Sequence, residues 1–320
     1  MVENTLRYIL NNIAAPIINV IASPFIEKKW TKDCKSLPLT QKHKELYIII
    51  HQHTARKLFK FPDLVNCNDF NDKIQWLKLF DQDEIQIQCS DKLKVRDYIE
   101  QKVGVKYLVP MYQSVESFKQ IDFEKLPGSF VMKTNHDSGT VVLVKDKNKF
   151  DKLKSKRGLE ASLKRKYGWS VGEWAYSFVP ARIIIEHYIE PESDTPPADY
   201  KFYCVNGEVK FCHYIYDRGN NSKEQLLSSD GIDLKTPLHG KFELGTGFIK
   251  PSNWAEMLEV AKKLSAEFKC VRVDLFSSQD NIYVGEMTFW PMAGTYRGNG
   301  QKFFGKFLDF ERDTFKQPVL

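Results

Sequence analysis

Residues 268–294, FKCVRVDLFSSQDNIYVGEMTFWPMAG, leave the chain fewer ways to fold than any other stretch. The run 270–276 is short, β-branched and aromatic, and its charges Arg272 and Asp274 stand two apart, which in a strand puts both on one face. Polar residues 277–281 have turn character and lead into Ile282, Tyr283 and Val284. Gly285 then admits Glu286 and Thr288, again two apart on one face. The spacing predicts two adjacent strands that turn Asp274 and Glu286 toward one space. Such an oxygen-only ligand set suits Mg²⁺ when phosphates supply the remaining ligands. A strand pair with a solvated charged face would share the alternation, but it would not call for the tight FWPMAG turn that follows at 289–294.

Four earlier stretches carry charge in patterned positions. The run 90–99, SDKLKVRDYI, opens with N-cap residue types and continues with the apolar spacing of a helix over Leu93, Val95, Tyr98, Ile99 and Val103. That places Lys92 in the first turn, where a cation opposes the helix dipole unless an anion lies just beyond the N-terminus. Gly104 ends this helix, and 107–110 is expected to begin an edge strand. The strand 130–133 ends in Lys133, passes through the polar loop 134–140 (TNHDSGT) and returns as 141–144. A continuous apolar strand, 182–189, carries Glu186 near its end. The segment 199–212 has Asn206-Gly207 at its centre, a two-residue hairpin signal. Pairing Val205 with Glu208 predicts Cys204 opposite Val209 and Phe202 opposite Phe211, with Asp199, Lys201, Tyr203, Lys210 and Cys212 on the other side. That register would also keep Cys204 and Cys212 on opposite faces.

The run R-x-D, then Y-x-x-E-x-T-x-x-P-x-x-G, resembles the C-terminal metal-binding signature of the ATP-grasp ligases, and with Thr288 in place of the usual Asn it is similar to their TupA-like branch. The segment 70–78, FNDKIQWLK, is similar to a motif that precedes the nucleotide domain in that branch, with Asp72 replacing Glu; its residues suggest packing. The resemblance covers about residues 68–296 and implies an α+β ATP-grasp fold, two subdomains clamping ATP, with a helical N-terminal region. It implies that Asp274, Glu286 and Thr288 hold Mg²⁺ and that Lys92 and, beside it, Arg96 meet phosphate. Lys133 would neutralise phosphate oxygens under a hairpin that includes His136, Ser138 and Gly139. Adenine would be held by Glu186 and the backbone of His187, Tyr188 and Ile189, with Asp199 and Lys201 near the ribose or metal. Arg272, Lys133 and Arg218 would act on the transferred phosphoryl group and the acylphosphate. Asp137 replaces a glycine usual in the branch, and its side chain is expected to point outward, away from phosphate. His136 reads either as a residue that orders the loop or faces substrate, or as a general base.

The implied reaction is ATP-dependent joining of a carboxylate to an amine through an acylphosphate, with an anionic glycan or sugar precursor as carboxylate. A phosphotransferase, or a non-catalytic glycan-assembly protein on the same scaffold, are the alternatives. The implied division is a helical region over 1–85 and an ATP-grasp domain over 86–320, with subdomains of roughly 86–185 and 186–320. At 320 residues and 42% hydrophobic content, the chain can bury a large core. The formal charge of +6 is local: within 145–166, ten Lys and Arg face Asp146, Asp151 and Glu160, a net +7, so the rest of the chain carries −1. This run is either a solvated helical face or a dock for a polyanion, and no nucleic-acid-binding motif accompanies it. Six irregularly spaced cysteines form no zinc pattern and suit a reduced, cytoplasmic protein. The apolar stretch 13–22 is too short to span a bilayer. It would pack on the body or attach shallowly to the inner face of a membrane through residues 1–29.

Overall fold

The computed structural model describes residues 24–26, 28–30, 40–190, 197–217 and 221–312. The apolar stretch 13–22, Cys34 and Arg218 lie outside the described residues. Helix α1, Gln41–Leu58, starts at Thr40, whose hydroxyl and amide engage His43 in a capping box, and ends where Phe59 adopts a left-handed conformation. Helix α2, Phe70–Phe80, is capped by Asp69, which accepts from the Asp72 amide at 2.9 Å. Helix α3, Glu84–Ser90, begins at Asp83 with a capping box of its own.

Helix α4, Val95–Val103, begins later than the sequence suggests. Asp91 accepts from the Leu93 amide at 2.8 Å and shapes a turn over 91–94, so Lys92 sits in the connection between two helices. The dipole argument for Lys92 therefore lapses. The expected edge strand at 107–110 is also corrected: Val105–Tyr107 is a 3₁₀ turn, Leu108 makes only an isolated bridge to Val284, and the first strand is β1, Met111–Val115.

Strands β2 (Phe130–Thr134), β3 (Val141–Val144) and β4 (Ile183–Glu186) join β1 in an antiparallel sheet of order β1-β4-β2-β3. Alternation along β2 sends Phe130 and Met132 into a small core with Val144, Ile183 and Ile185. Helix α5, Lys152–Leu163, closes that core with Leu159 and exposes most of its basic residues.

The second sheet has six strands, β5 (Asp199–Val205), β6 (Glu208–Tyr216), β7 (Lys223–Leu227), β8 (Glu243–Leu244), β9 (Cys270–Ser278) and β10 (Asn281–Thr288), in the order β10-β9-β5-β6-β7-β8. Only β7 and β8 run parallel. Helix α6, Trp254–Ser265, covers one face, its Trp254 ring 5.3 Å from Phe202. The other face receives α2, whose Phe70 meets Tyr203 edge-on at 5.6 Å. Helices α1 and α2 thus share one continuous core with the large sheet, together with Val95, Tyr98 and Ile99 of α4.

The hairpin register differs from the simple reading. Val205 pairs with Glu208 and Cys204 with Val209, but a bulge between Tyr203 and Cys204 then puts Tyr203 opposite Phe211 and Phe202 opposite Cys212. One extra residue, Lys210, moves every later side chain of β6 to the other face. Tyr203 and Phe211 consequently stack at 4.4 Å. Cys204 and Cys212 fall on one face rather than two, yet both are buried free thiols, as are Cys67, Cys89 and Cys270. No helix among the described residues is long and apolar enough to cross a membrane.

Candidate active site

Three register relationships build the site. Glu286 on β10 pairs with Asp274 on β9, Asp274 with Lys201 on β5, and Lys201 with His213 on β6. Directly paired residues share a face, so these four side chains form one row across the sheet. Beside it lies a second row, Thr288, Arg272, Tyr203 and Phe211.

The first row depends on a bulge at Gly285, between the Val284–Leu275 and Glu286–Asp274 pairs. Without it, Glu286 would oppose Val273 and face α6. A Cβ on Gly285 would lie 2.5 Å from the Phe276 ring, so the bulge needs glycine there.

Charge in the row is densely paired. Arg272 grips Asp274 with two bonds, Nε to Oδ1 at 2.6 Å and an Nη to Oδ2 at 2.7 Å. The same terminal nitrogen reaches Glu286 Oε1 and Thr288 Oγ1, each at 3.1 Å. The Thr288 hydroxyl also lies 3.1 Å from Glu286 Oε1. Lys201 also bonds Asp274, at the Oδ2 that accepts from the Arg272 terminal nitrogen, and stands 3.7 Å from Asp199. Burial alone would push the Glu286 carboxyl up, but the charges of Lys92, Arg272 and Lys201 outweigh it and hold the group at about 2. The Glu286 carboxylate is ionised in a region dense with cations.

The smaller sheet brings further cations to this row. Lys92 donates to the backbone carbonyl of Asp137, and Glu286 is its leading charged neighbour. Burial lowers the Lys92 pKa, partly offset by Glu286. Lys133 pairs with Glu186 at 2.6 Å, and Arg96 reaches the other Glu186 oxygen at 3.4 Å. Glu186 therefore orients two cations with its side chain. The His187 N–H, expected to meet adenine, instead donates to Pro110 O at 2.8 Å, and its ring meets Tyr112 Oη at 3.1 Å. Tyr188 and Ile189 follow β4 half-buried.

The loop between β2 and β3 is pinned at its base. Asn135 donates to Asp91 and Pro180 O and accepts from the Arg182 amide at 2.7 Å. Gly139 takes φ +90°, which lets the loop turn back into β3. The Ser138 and Gly139 amides meet no acceptor among the described residues. His136 is buried, and neither of its ring nitrogens has a partner among them.

Asp137 corrects an expectation, because its side chain points into the protein. Thr134 Oγ1 donates to Oδ1 at 2.5 Å, and Thr140 Oγ1 and Ser162 Oγ donate to Oδ2 at 2.7 and 2.5 Å. Arg165 stands 3.7 Å away. Burial raises its pKa, but the hydroxyl bonds from Ser162, Thr134 and Thr140 and the Lys92 charge bring it below the usual carboxylate value. The carboxylate thus ties the loop to α5.

At the far end of the row, His213 Nε2 lies 2.7 Å from Glu224 Oε2, both side chains fully buried. Burial lowers the His213 pKa despite Glu224, so the ring stays neutral at neutral pH. Sequence reading missed this pair because the bulge at Lys210 is what turns His213 to the functional face.

Among the described residues, no three His, Cys, Asp or Glu side chains cluster to hold a metal. Asp274 and Glu286 do fit Mg²⁺ as part of a shell, because two facing carboxyl groups offer hard oxygens and leave positions for phosphate oxygens. Arg272 and Lys201 supply the counter-charge. Thr288 is turned toward Glu286 and Arg272, a placement that orients the carboxylate.

A family model described as TupA-like ATPgrasp matches residues 72–309. Solved structures similar to the chain include the D-alanine–D-alanine ligase of Bacillus anthracis complexed with ATP, at 17% identity over 63% of this chain and 54% of that one, with a TM-score of 0.37. They also include the ATP-grasp ligase PsnB complexed with minimal precursor (9%, 70% and 60%, 0.39) and the D-alanine–D-alanine ligase of Helicobacter pylori (12%, 71% and 60%, 0.39). The chain spans 54–60% of the length of these ligases. No curated protein matches it.

Proposed function

Because the chain belongs to the TupA-like ATP-grasp family, we propose that it is an ATP-dependent carboxylate–amine ligase whose chemistry takes place over the Glu286–Asp274–Lys201 row. The observation that carries this reading is the convergence of two sheets. The large sheet presents the paired carboxylates, and Lys92 of the 91–94 turn, which neighbours Glu286, Lys133 and Asp137, brings the cations and the loop of the small sheet alongside them. A triphosphate between two such surfaces would find positive charge on one side and metal ligands on the other.

Asp274 and Glu286 would hold Mg²⁺, oriented by Arg272 and Thr288. When bound, the metal supplies charge neutralisation for the transferred phosphoryl group. Lys92 and Lys133 would bear on phosphate oxygens, with Arg96 and Glu186 fixing the angle of Lys133. The amides of Ser138 and Gly139 and the unpartnered ring of His136 would complete the phosphate cradle. A carboxylate oxygen attacks the γ-phosphorus and ADP leaves with the bonding electrons. An amine then attacks the acylphosphate carbon and phosphate leaves. The attacking ammonium must first lose a proton, and neutral His213, set against Glu224, is the base on this face. Arg218 remains a candidate for the transferred phosphate. An anionic sugar or glycan is the acceptor class, met by the exposed basic face of α5.

Asp137 is ill suited to serve as the base of a phosphotransferase, since three hydroxyl donors occupy its oxygens. Products formed from γ-labelled ATP with uronic acids and amino acids test the ligase reading. The expected result is ADP and free phosphate released in step with amide. Label retained on the sugar would identify a phosphotransferase, and no ATP turnover would point to a non-catalytic scaffold.

A further inference from the structure

The motif at 70–78 reads from sequence as packing, but three of its polar side chains do more than fill space. Asn71, Gln75 and Lys78 recur at helical spacing on one face of α2, and all three bind the backbone that follows β10. Asn71 donates to Tyr296 O at 2.9 Å and accepts from the Tyr296 amide at 3.0 Å. Gln75 donates to the carbonyls of Ala293 and Gly294, each at 2.9 Å. Lys78, wholly buried, donates to Ala293 O and Val171 O, each at 2.8 Å.

The backbone they hold is strained. Met292 and Ala293 take φ values of 52° and 51°, and Gly294 follows at 65°, three left-handed residues in succession. Residues with a Cβ adopt that conformation in series only when their surroundings impose it. Every donor named above reaches this turn or the residue two beyond it.

The turn sets Tyr296, and Tyr296 touches the site. Its hydroxyl lies 2.6 Å from that of Tyr203, both rings buried. Tyr203 pairs with Arg272 across β5 and β9, and the two phenols are, after Asp274, the leading neighbours of the Arg272 guanidinium. Arg272 in turn holds Asp274, Glu286 and Thr288.

We propose that Asn71, Gln75 and Lys78 are positioning residues for the metal row: they fix the left-handed turn at 292–294 so that Tyr296 and Tyr203 seat Arg272 between Asp274 and Glu286. The inference rests on the reading of that row as a Mg²⁺ and nucleotide site. It gives the N-terminal helical region a part in the chemistry.

Titration of the full-length protein with Mg·ADP, followed by calorimetry, tests it. Asn71→Leu and Gln75→Leu should each weaken Mg·ADP binding roughly fivefold or more. Trp76→Leu is the control, because the Trp76 ring packs against Phe80 and Phe310. At an equal loss of Tm it should bind Mg·ADP as the wild type does. Tyr296→Phe leaves α2 intact and should weaken binding like the tether variants, and combining it with Gln75→Leu should add little. Tether variants that bind like wild type, or a Trp76→Leu protein that loses as much as they do, would overturn the inference alone. A wild type that does not bind Mg·ADP would contradict the reading of the site, and this inference with it.

Discussion

Replacing Asp137 by Asn tests whether the phosphate-side loop is built as described, because the substitution keeps the volume and removes the charge. Three hydroxyls converge on two carboxylate oxygens, Thr134 on one and Thr140 and Ser162 on the other, all within 2.7 Å. Asn retains one acceptor oxygen, so at least one of these donors must turn away. A hydrogen bond to a buried charged acceptor contributes about 1.5 to 3 kcal/mol, so Asp137→Asn should cost about 2 kcal/mol, and Asp137→Ala, which strips all three, about 3 kcal/mol or more. The pH dependence has a definite sign. The folded-state pKa of Asp137 is depressed, so its contribution is present above the ordinary carboxylate value and is lost as pH falls through the lower one. Urea unfolding at about pH 7 should show the full gap between wild type and Asp137→Asn, and the gap should narrow below about pH 4. An Asn variant with the wild-type midpoint at neutral pH would mean that the side chain faces solvent and that the loop is held by other contacts.

Asp274→Asn and Glu286→Gln should each reduce ligase turnover about a thousandfold in a protein that still folds, since each removes several kcal/mol of metal-borne charge stabilisation; measurable turnover at saturating Mg²⁺ in both would remove this pair from the site. Lys133→Met should slow hydroxamate formation from ATP, a carboxylate and hydroxylamine about a hundredfold, and a wild-type rate would show that Lys133 serves only Glu186. His213→Gln should slow amide formation from an ammonium donor about a hundredfold. With hydroxylamine, which is already unprotonated near neutral pH, the same variant should keep close to its full rate, and equal losses with both nucleophiles would exclude His213 as the base.

What the sequence disclosed follows the reach of its signals. The pairing of Asp274 with Glu286 was legible because alternation and one glycine define a face over a few residues. The hairpin at Asn206-Gly207 was legible in its turn, but its register beyond Cys204 was not. Nothing local marks Lys210 as the extra residue of a bulge, and that residue decides whether Phe211 and His213 or Cys212 face the site. The start of α4 was misplaced because Asp91 caps a turn as readily as a helix. Asp137 could not be placed, since Ser162, which draws its side chain toward α5, lies 25 residues further along the chain. The role of Asn71, Gln75 and Lys78 was hidden for the same reason. Their carbonyl partners lie more than two hundred residues away, apart from Val171, and helical spacing alone reads as packing.

The central claim is that a carboxylate is activated by phosphoryl transfer over the Asp274–Glu286 row. A carboxylate substrate labelled with ¹⁸O in its carboxyl group, incubated with the enzyme, ATP and an amine, tests that step directly, because the oxygen that attacks the γ-phosphorus departs with the phosphate when the amide forms. Mass analysis of the released phosphate should find the label in it, in step with amide formed and absent from the Asp274→Asn protein. Amide formed with unlabelled phosphate, or label found in AMP, would contradict the acylphosphate route and with it the function assigned to the site.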